Sequence, residues 1–69
     1  MDQRFQIGDA ILTVSLPAEL DHPNAEEISR QIDEILQDQY IRGIVFDFEQ
    51  TTFMDSSGIG MIMGRYKAL

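Results

Sequence analysis

Ile41-Arg42-Gly43-Ile44-Val45-Phe46-Asp47-Phe48 is the stretch on which the fold turns. Its centre, Ile44-Val45-Phe46, is apolar without alternation, the pattern of a strand covered on both faces in a parallel sheet. Immediately upstream the period is helical: Ala25, Ile28, Ile32, Ile35 and Leu36 recur at spacings of three and four, which places them on one face. Before that helix, Phe5 and Ile7, then Gly8-Asp9, then Ile11 to Leu16 read as a hairpin around a Gly-Asp turn, ended by Pro17, which has no amide hydrogen for a ladder. A helix between two strands requires a crossover, right-handed by rule, so the predicted class is α/β.

The helix begins at Asn24 in this reading, with Asn24 and Glu27 as a capping box, Pro23 just outside it, and Glu26 and Glu27 at the positive end of the dipole. Its outer face carries Glu26, Arg30, Asp33, Glu34 and Asp38, and Glu26 and Arg30 are spaced for an i,i+4 pair. Glu49 to Thr52 is a polar loop. A second helical pattern follows, with Ile59, Ile62, Met63 and Tyr66 on one face and Leu69 still in phase. No Gly or Pro stop signal follows Arg65-Tyr66-Lys67. The predicted order is β-β-α-β-α.

Composition narrows the function. The chain has 69 residues, no cysteine and one histidine, His22, which removes disulfides, zinc ribbons and thiol catalysis together. Twelve acids against five bases give a net charge of −7, a balance that repels phosphate backbones and anionic membrane surfaces. Direct binding to nucleic acid or membrane is not expected. The charge suits a basic protein partner and equally suits plain solubility. No apolar run approaches the roughly 18 residues of a membrane span, and Met1-Asp2-Gln3-Arg4 lacks the layout of a signal peptide, so the expected compartment is the cytoplasm.

Between the last predicted strand and the second helix stands Phe53-Met54-Asp55-Ser56-Ser57-Gly58-Ile59-Gly60. Either serine could cap the helix with its hydroxyl. Gly58, Gly60 and Gly64 each cost about 1 kcal/mol in a helix interior and so require a reason. Gly60 and Gly64 leave a flat ridge, and Gly58 either packs closely on the sheet or keeps the space around the serines open for a partner. Enzyme readings fare poorly. The glycines lack the tight turn and ribose-binding acid of a dinucleotide site, and Gly64-Arg65-Tyr66-Lys67 is not a Walker loop. Ser56 lacks a nucleophile elbow and would have His22 as its sole imidazole base. The chain is not expected to be an enzyme, and nothing calls for a metal or cofactor.

The stretch Phe53 to Gly60, followed by Met61-Ile62-Met63-Gly64-Arg65-Tyr66-Lys67, resembles the signature of the STAS domain of bacterial anti-sigma factor antagonists, in particular the sporulation branch. Glu19-Leu20-Asp21-His22 and Ile41 to Phe48 fit the same family. The resemblance implies a partner switch in transcription regulation: such a protein binds an anti-sigma factor serine kinase, with its ATP or ADP, and frees the sigma factor. It also implies that the kinase phosphorylates the serine after the motif aspartate, here Ser56, and that a PP2C-type phosphatase reverses this. By the same resemblance Asp55, Ser57 and Gly58 shape the docking surface around Ser56, with Glu19, Asp21 and His22 beside them.

A phosphate on Ser56 is expected to sit on the backbone amides of a helix N-terminus and to oppose docking locally, by charge and bulk. The alternative is a STAS module serving as a structural or transport-associated subunit, in which the serine is not a switch. The family's domain continues past the second helix, so residues 1–69 are expected to be a partial STAS domain. Such a chain would expose a sheet edge or form a homo-oligomer through it, covering the face of Ile59, Ile62, Met63 and Tyr66.

Overall fold

The computed structural model describes residues 4–68, with side chains through residue 64. Its elements are β1 (Phe5–Gly8), β2 (Ile11–Ser15), β3 (Glu19–Leu20), α1 (His22–Asp38), β4 (Gly43–Asp47), β5 (Phe53–Met54) and α2 (Ser56–Ala68). β1 and β2 form the expected antiparallel hairpin, and β2 pairs in parallel with β4 after the α1 crossover, giving the order β1-β2-β4. The fold is α/β as the periodicity requires.

Alternation sets the inner face. Leu12, Val14 and Leu16 are fully buried, whereas Ile11, Thr13 and Ser15 are half-buried. The register aligns Phe5 with Val14 and Phe46, and Ile44 with Leu12, so one face of the sheet presents a continuous apolar layer. Ala25, Ile28 and Ile32 of α1 complete that core, with Ile35 and Leu36 packed at its margin. Burying one such aliphatic side chain contributes about 1.5–3 kcal/mol, which makes this layer the main source of stability.

Four details depart from the sequence reading. β4 is not covered on both faces: Ile44 and Phe46 turn inward, whereas Val45, which points to the opposite face, is 50% exposed; among the described residues β4 is also an edge of its sheet. Helix α1 begins two residues earlier, capped by Asp21, whose Oδ1 accepts from the Asn24 amide at 3.1 Å. Pro23 therefore lies inside the first turn, where its missing N–H costs no helical bond, and Asn24 donates its side-chain amide to the Glu19 carbonyl at 2.7 Å. Glu26 and Glu27 fall beyond the first turn, which holds no acidic residue.

The ion pairs change with it. Arg30 pairs with Glu27 and Glu34, while Glu26 faces His22. Hydrogen bonding to Arg30 holds the Glu27 carboxyl below its ordinary range, and the same bond raises the Arg30 guanidinium. A lowered carboxyl stabilises the fold above its unfolded-state value and loses that contribution as the pH falls through its folded value. Both groups are solvent-exposed, so this contribution is small.

The fourth detail is the hairpin turn. It is centred on Asp9-Ala10 rather than Gly8-Asp9, with φ of 54° and 61°. Positive φ at both central residues is the geometry of a type I′ turn, which favours Asp-Gly and strains an alanine. Ala10→Gly is accordingly expected to stabilise the domain by about 1 kcal/mol, read as a raised urea midpoint with an unchanged slope.

Candidate functional site

The loops that follow the main strands carry two very short strands, β3 and β5, which form a second, parallel sheet with Glu19 opposite Phe53 and Leu20 opposite Met54. Each of these strands runs directly into a helix, β3 into α1 and β5 into α2. Parallel pairing therefore brings the N-termini of both helices side by side. An aspartate stands at each junction, Asp21 before α1 and Asp55 before α2, where the helix dipole favours negative charge.

Asp55 is the cap of α2. Its Oδ1 accepts from the amides of Ser57 at 2.9 Å and Gly58 at 3.3 Å, and its amide reaches the Leu20 carbonyl at 3.4 Å. Neither serine hydroxyl has the capping role open to it in the sequence. Replacing Asp55 with alanine removes two acceptor contacts and is expected to cost about 1 kcal/mol, measurable as a lower thermal midpoint and weaker amide protection of Ser57 and Gly58.

With the cap supplied by Asp55, the two serines diverge. Ser56 opens α2 with an exposed side chain, and its hydroxyl has no protein hydrogen-bond partner among the described residues. Ser57 is half-buried, with Oγ 2.9 Å from His22 Nδ1. The opposite ring nitrogen, Nε2, lies 3.3 Å from Glu26 Oε2. A carboxylate only accepts, so Glu26 favours the ring protonated on Nε2, and in that tautomer Nδ1 accepts from the Ser57 hydroxyl.

Gly58 is buried, and a Cβ there would stand 2.8 Å from Met54 Cγ and 2.9 Å from two atoms of Leu20. Close packing on β3 and β5 thus explains this glycine. Gly60 and Gly64 have open space at the corresponding position.

The predicted site residues come together at these junctions. Asp55, Ser56, Ser57 and Gly58 form the start of α2, and His22 reaches Ser57 from the start of α1. Glu19 is exposed at the neighbouring strand, while Asp21 is half-buried and committed to capping α1. Glu26 was missed: its i,i+4 spacing to His22 is the signal, outweighed in the sequence by the equal spacing to Arg30.

The apolar face of α2 also differs from expectation. Met61 is buried and Ile62 half-buried, whereas Ile59 and Met63 are 56% and 53% exposed. The Tyr66 side chain and Leu69 lie outside the described residues.

This architecture is that of a STAS domain: the STAS family model matches residues 3–69, and the chain belongs to that family. Its relatives include the anti-sigma F factor antagonist of Paenibacillus polymyxa, 42% identical over 59 residues, and that of Lysinibacillus sphaericus, 34% identical over 58 residues. The matches cover 86% and 84% of this chain, and the chain spans 50% of the length of either relative.

Two solved structures are similar at 33% identity, covering 91% of this chain and 60% of theirs. One is the anti-sigma factor antagonist SpoIIAA in its unphosphorylated form, at a TM-score of 0.78. The other is the Bacillus cell fate determinant SpoIIAA in the phosphorylated form, at 0.76. No described helix is long and apolar enough to cross a membrane.

Proposed function

We propose that this chain, as a partial STAS domain, acts as an anti-sigma factor antagonist. In its unphosphorylated form it binds an anti-sigma factor serine kinase and so releases the sigma factor, and phosphorylation of Ser56 ends the binding. The observation that carries this reading is the Ser56 hydroxyl, exposed at the tip of α2, without a hydrogen-bond partner among the described residues and next to an aspartate that caps the helix without it. Phosphoryl transfer demands an acceptor oxygen that can be aligned with the γ-phosphate and can release its proton to the kinase. Ser56 meets that demand without unfolding its helix.

In this reading the phosphate does not rest on the amides of the helix start. The amides of Ser57 and Gly58 are already occupied by Asp55, so they are not vacant to cradle a phosphate on Ser56. The added charge of about −1.5 to −2 then stays at the surface, beside Asp55, in a chain whose net charge is already −7. Its effect falls on the partner. Glu19, Asp21, His22, Asp55, Ser57 and Gly58 supply or support the surface around it, and a PP2C-type phosphatase restores the binding form.

Incubation with the anti-sigma F factor of Paenibacillus polymyxa and ATP tests the assignment. Incorporation of one phosphate that is lost in Ser56→Ala and retained in Ser57→Ala is the expected result. Incorporation indifferent to Ser56 contradicts it.

A further inference from the structure

Two adjacent serines open α2, and the geometry points to His22 as the residue that makes them unequal: we propose that His22 is a positioning residue that ties up the Ser57 hydroxyl and so confines phosphoryl transfer to Ser56. The proposal rests on the Ser56 reading above and adds a determinant of site selection to it.

Three observations carry it. Ser57 Oγ lies 2.9 Å from His22 Nδ1, a bond that joins the N-terminal turns of helices 35 residues apart in sequence. Glu26 Oε2 lies 3.3 Å from the opposite ring nitrogen, which favours the tautomer protonated on Nε2, the one in which Nδ1 accepts the Ser57 proton. Ser57 is half-buried and its amide is held by Asp55 at 2.9 Å, whereas Ser56 is exposed and its hydroxyl has no partner among the described residues.

A kinase that used Ser57 would have to break the imidazole bond, draw the side chain out of the groove between α1 and α2, and bring its oxygen in line with the γ-phosphate. In the transfer itself the acceptor oxygen forms the new P–O bond, the bond from the γ-phosphorus to the ADP oxygen breaks, and the hydroxyl proton passes to the kinase's base. Ser56 reaches that arrangement at no such cost. One neutral hydrogen bond alters an equilibrium by about two- to twelve-fold, and that is the share of the selectivity assigned to His22, the remainder coming from burial.

The test compares full-length chains by site-resolved mass spectrometry after incubation with the anti-sigma F factor of Paenibacillus polymyxa and ATP. Wild type is expected to carry phosphate on Ser56 alone, and Ser56→Ala almost none. Adding His22→Ala to Ser56→Ala is expected to raise phosphate on Ser57 about two- to twelve-fold. Adding His22→Asn instead, which keeps a polar atom at the Nδ1 position, is expected to restore exclusion. Thermal melts of the His22 variants verify folding.

If Ser57 stays unmodified in the Ser56→Ala/His22→Ala chain while the single His22→Ala chain is still phosphorylated on Ser56, the role given to His22 is wrong. Equal Ser57 labelling with alanine or asparagine at position 22 also overturns it, since loss of the bond would then not be the cause. Absence of phosphate from wild type overturns the Ser56 reading itself, and this inference with it.

Discussion

Gly58→Val is expected to lower the stability of this domain by about 3 kcal/mol, whereas Gly60→Ala two residues later should raise it by about 0.5–1 kcal/mol. The signs differ because the surroundings differ. A Cβ at Gly58 would approach Met54 and fully buried Leu20 to within 3 Å, and a valine adds two further methyl groups where even one carbon does not fit. A Cβ at Gly60 would meet nothing within 4 Å among the described residues outside its own helix turn, so alanine there gains only helix propensity. Since a chain of this size holds only about 3–5 kcal/mol from a single core, the valine variant should be largely unfolded at room temperature. Urea denaturation followed by circular dichroism reads both effects. Equal destabilisation by the two substitutions would show that α2 does not seat on β3 and β5 through Gly58.

Phosphorylation of Ser56 is expected to weaken binding to the anti-sigma kinase by about a hundred-fold or more. A phosphate pressed against an acidic or apolar patch of the partner costs several kcal/mol in repulsion and desolvation, and each 1.4 kcal/mol is a factor of ten. The phosphate is added next to Asp55, whose carboxylate remains bound to the Ser57 and Gly58 amides, so the helix cap survives and the fold itself should be little affected. Isothermal titration of both forms, at low and moderate salt, gives the ratio. The electrostatic part should shrink as salt is added. A phosphorylated form that binds within a factor of three of the unphosphorylated one contradicts the switch.

The larger elements of this fold were legible in the sequence because their periods are long enough to read. Five apolar positions define the inner face of α1, and the alternation of Leu12, Val14 and Leu16 defines that of β2. β3 and β5 were not legible, since two residues cannot display a period, and their pairing joins segments more than thirty residues apart. The α2 face was misread for a related reason. Ile59, Met61, Ile62 and Met63 spread apolar side chains around the helix, so spacing alone does not choose a face; Gly58 chooses it, by seating on Leu20 and Met54.

Local chemistry was ambiguous at the helix starts, where Asp21 and Asn24 are both good caps and the choice depends on where β3 releases the chain. The motif aspartate and serine stood out in the sequence, whereas His22 was placed beside them only through the family resemblance. The bond from His22 to Ser57 was not, because only the pairing of β3 with β5 brings those two residues together.

The central claim is that Ser56 switches partner binding from the surface of an unchanged fold. Backbone amide spectra of the chain with and without phosphate on Ser56 test it most directly. The expected result is a set of displaced resonances confined to the two helix starts, residues 19–26 and 53–61, with β1, β2 and β4 unmoved. Displacements spread through Phe5, Leu12, Val14 and Phe46 would mean that the phosphate remodels the core, and the account of a local surface switch would be wrong.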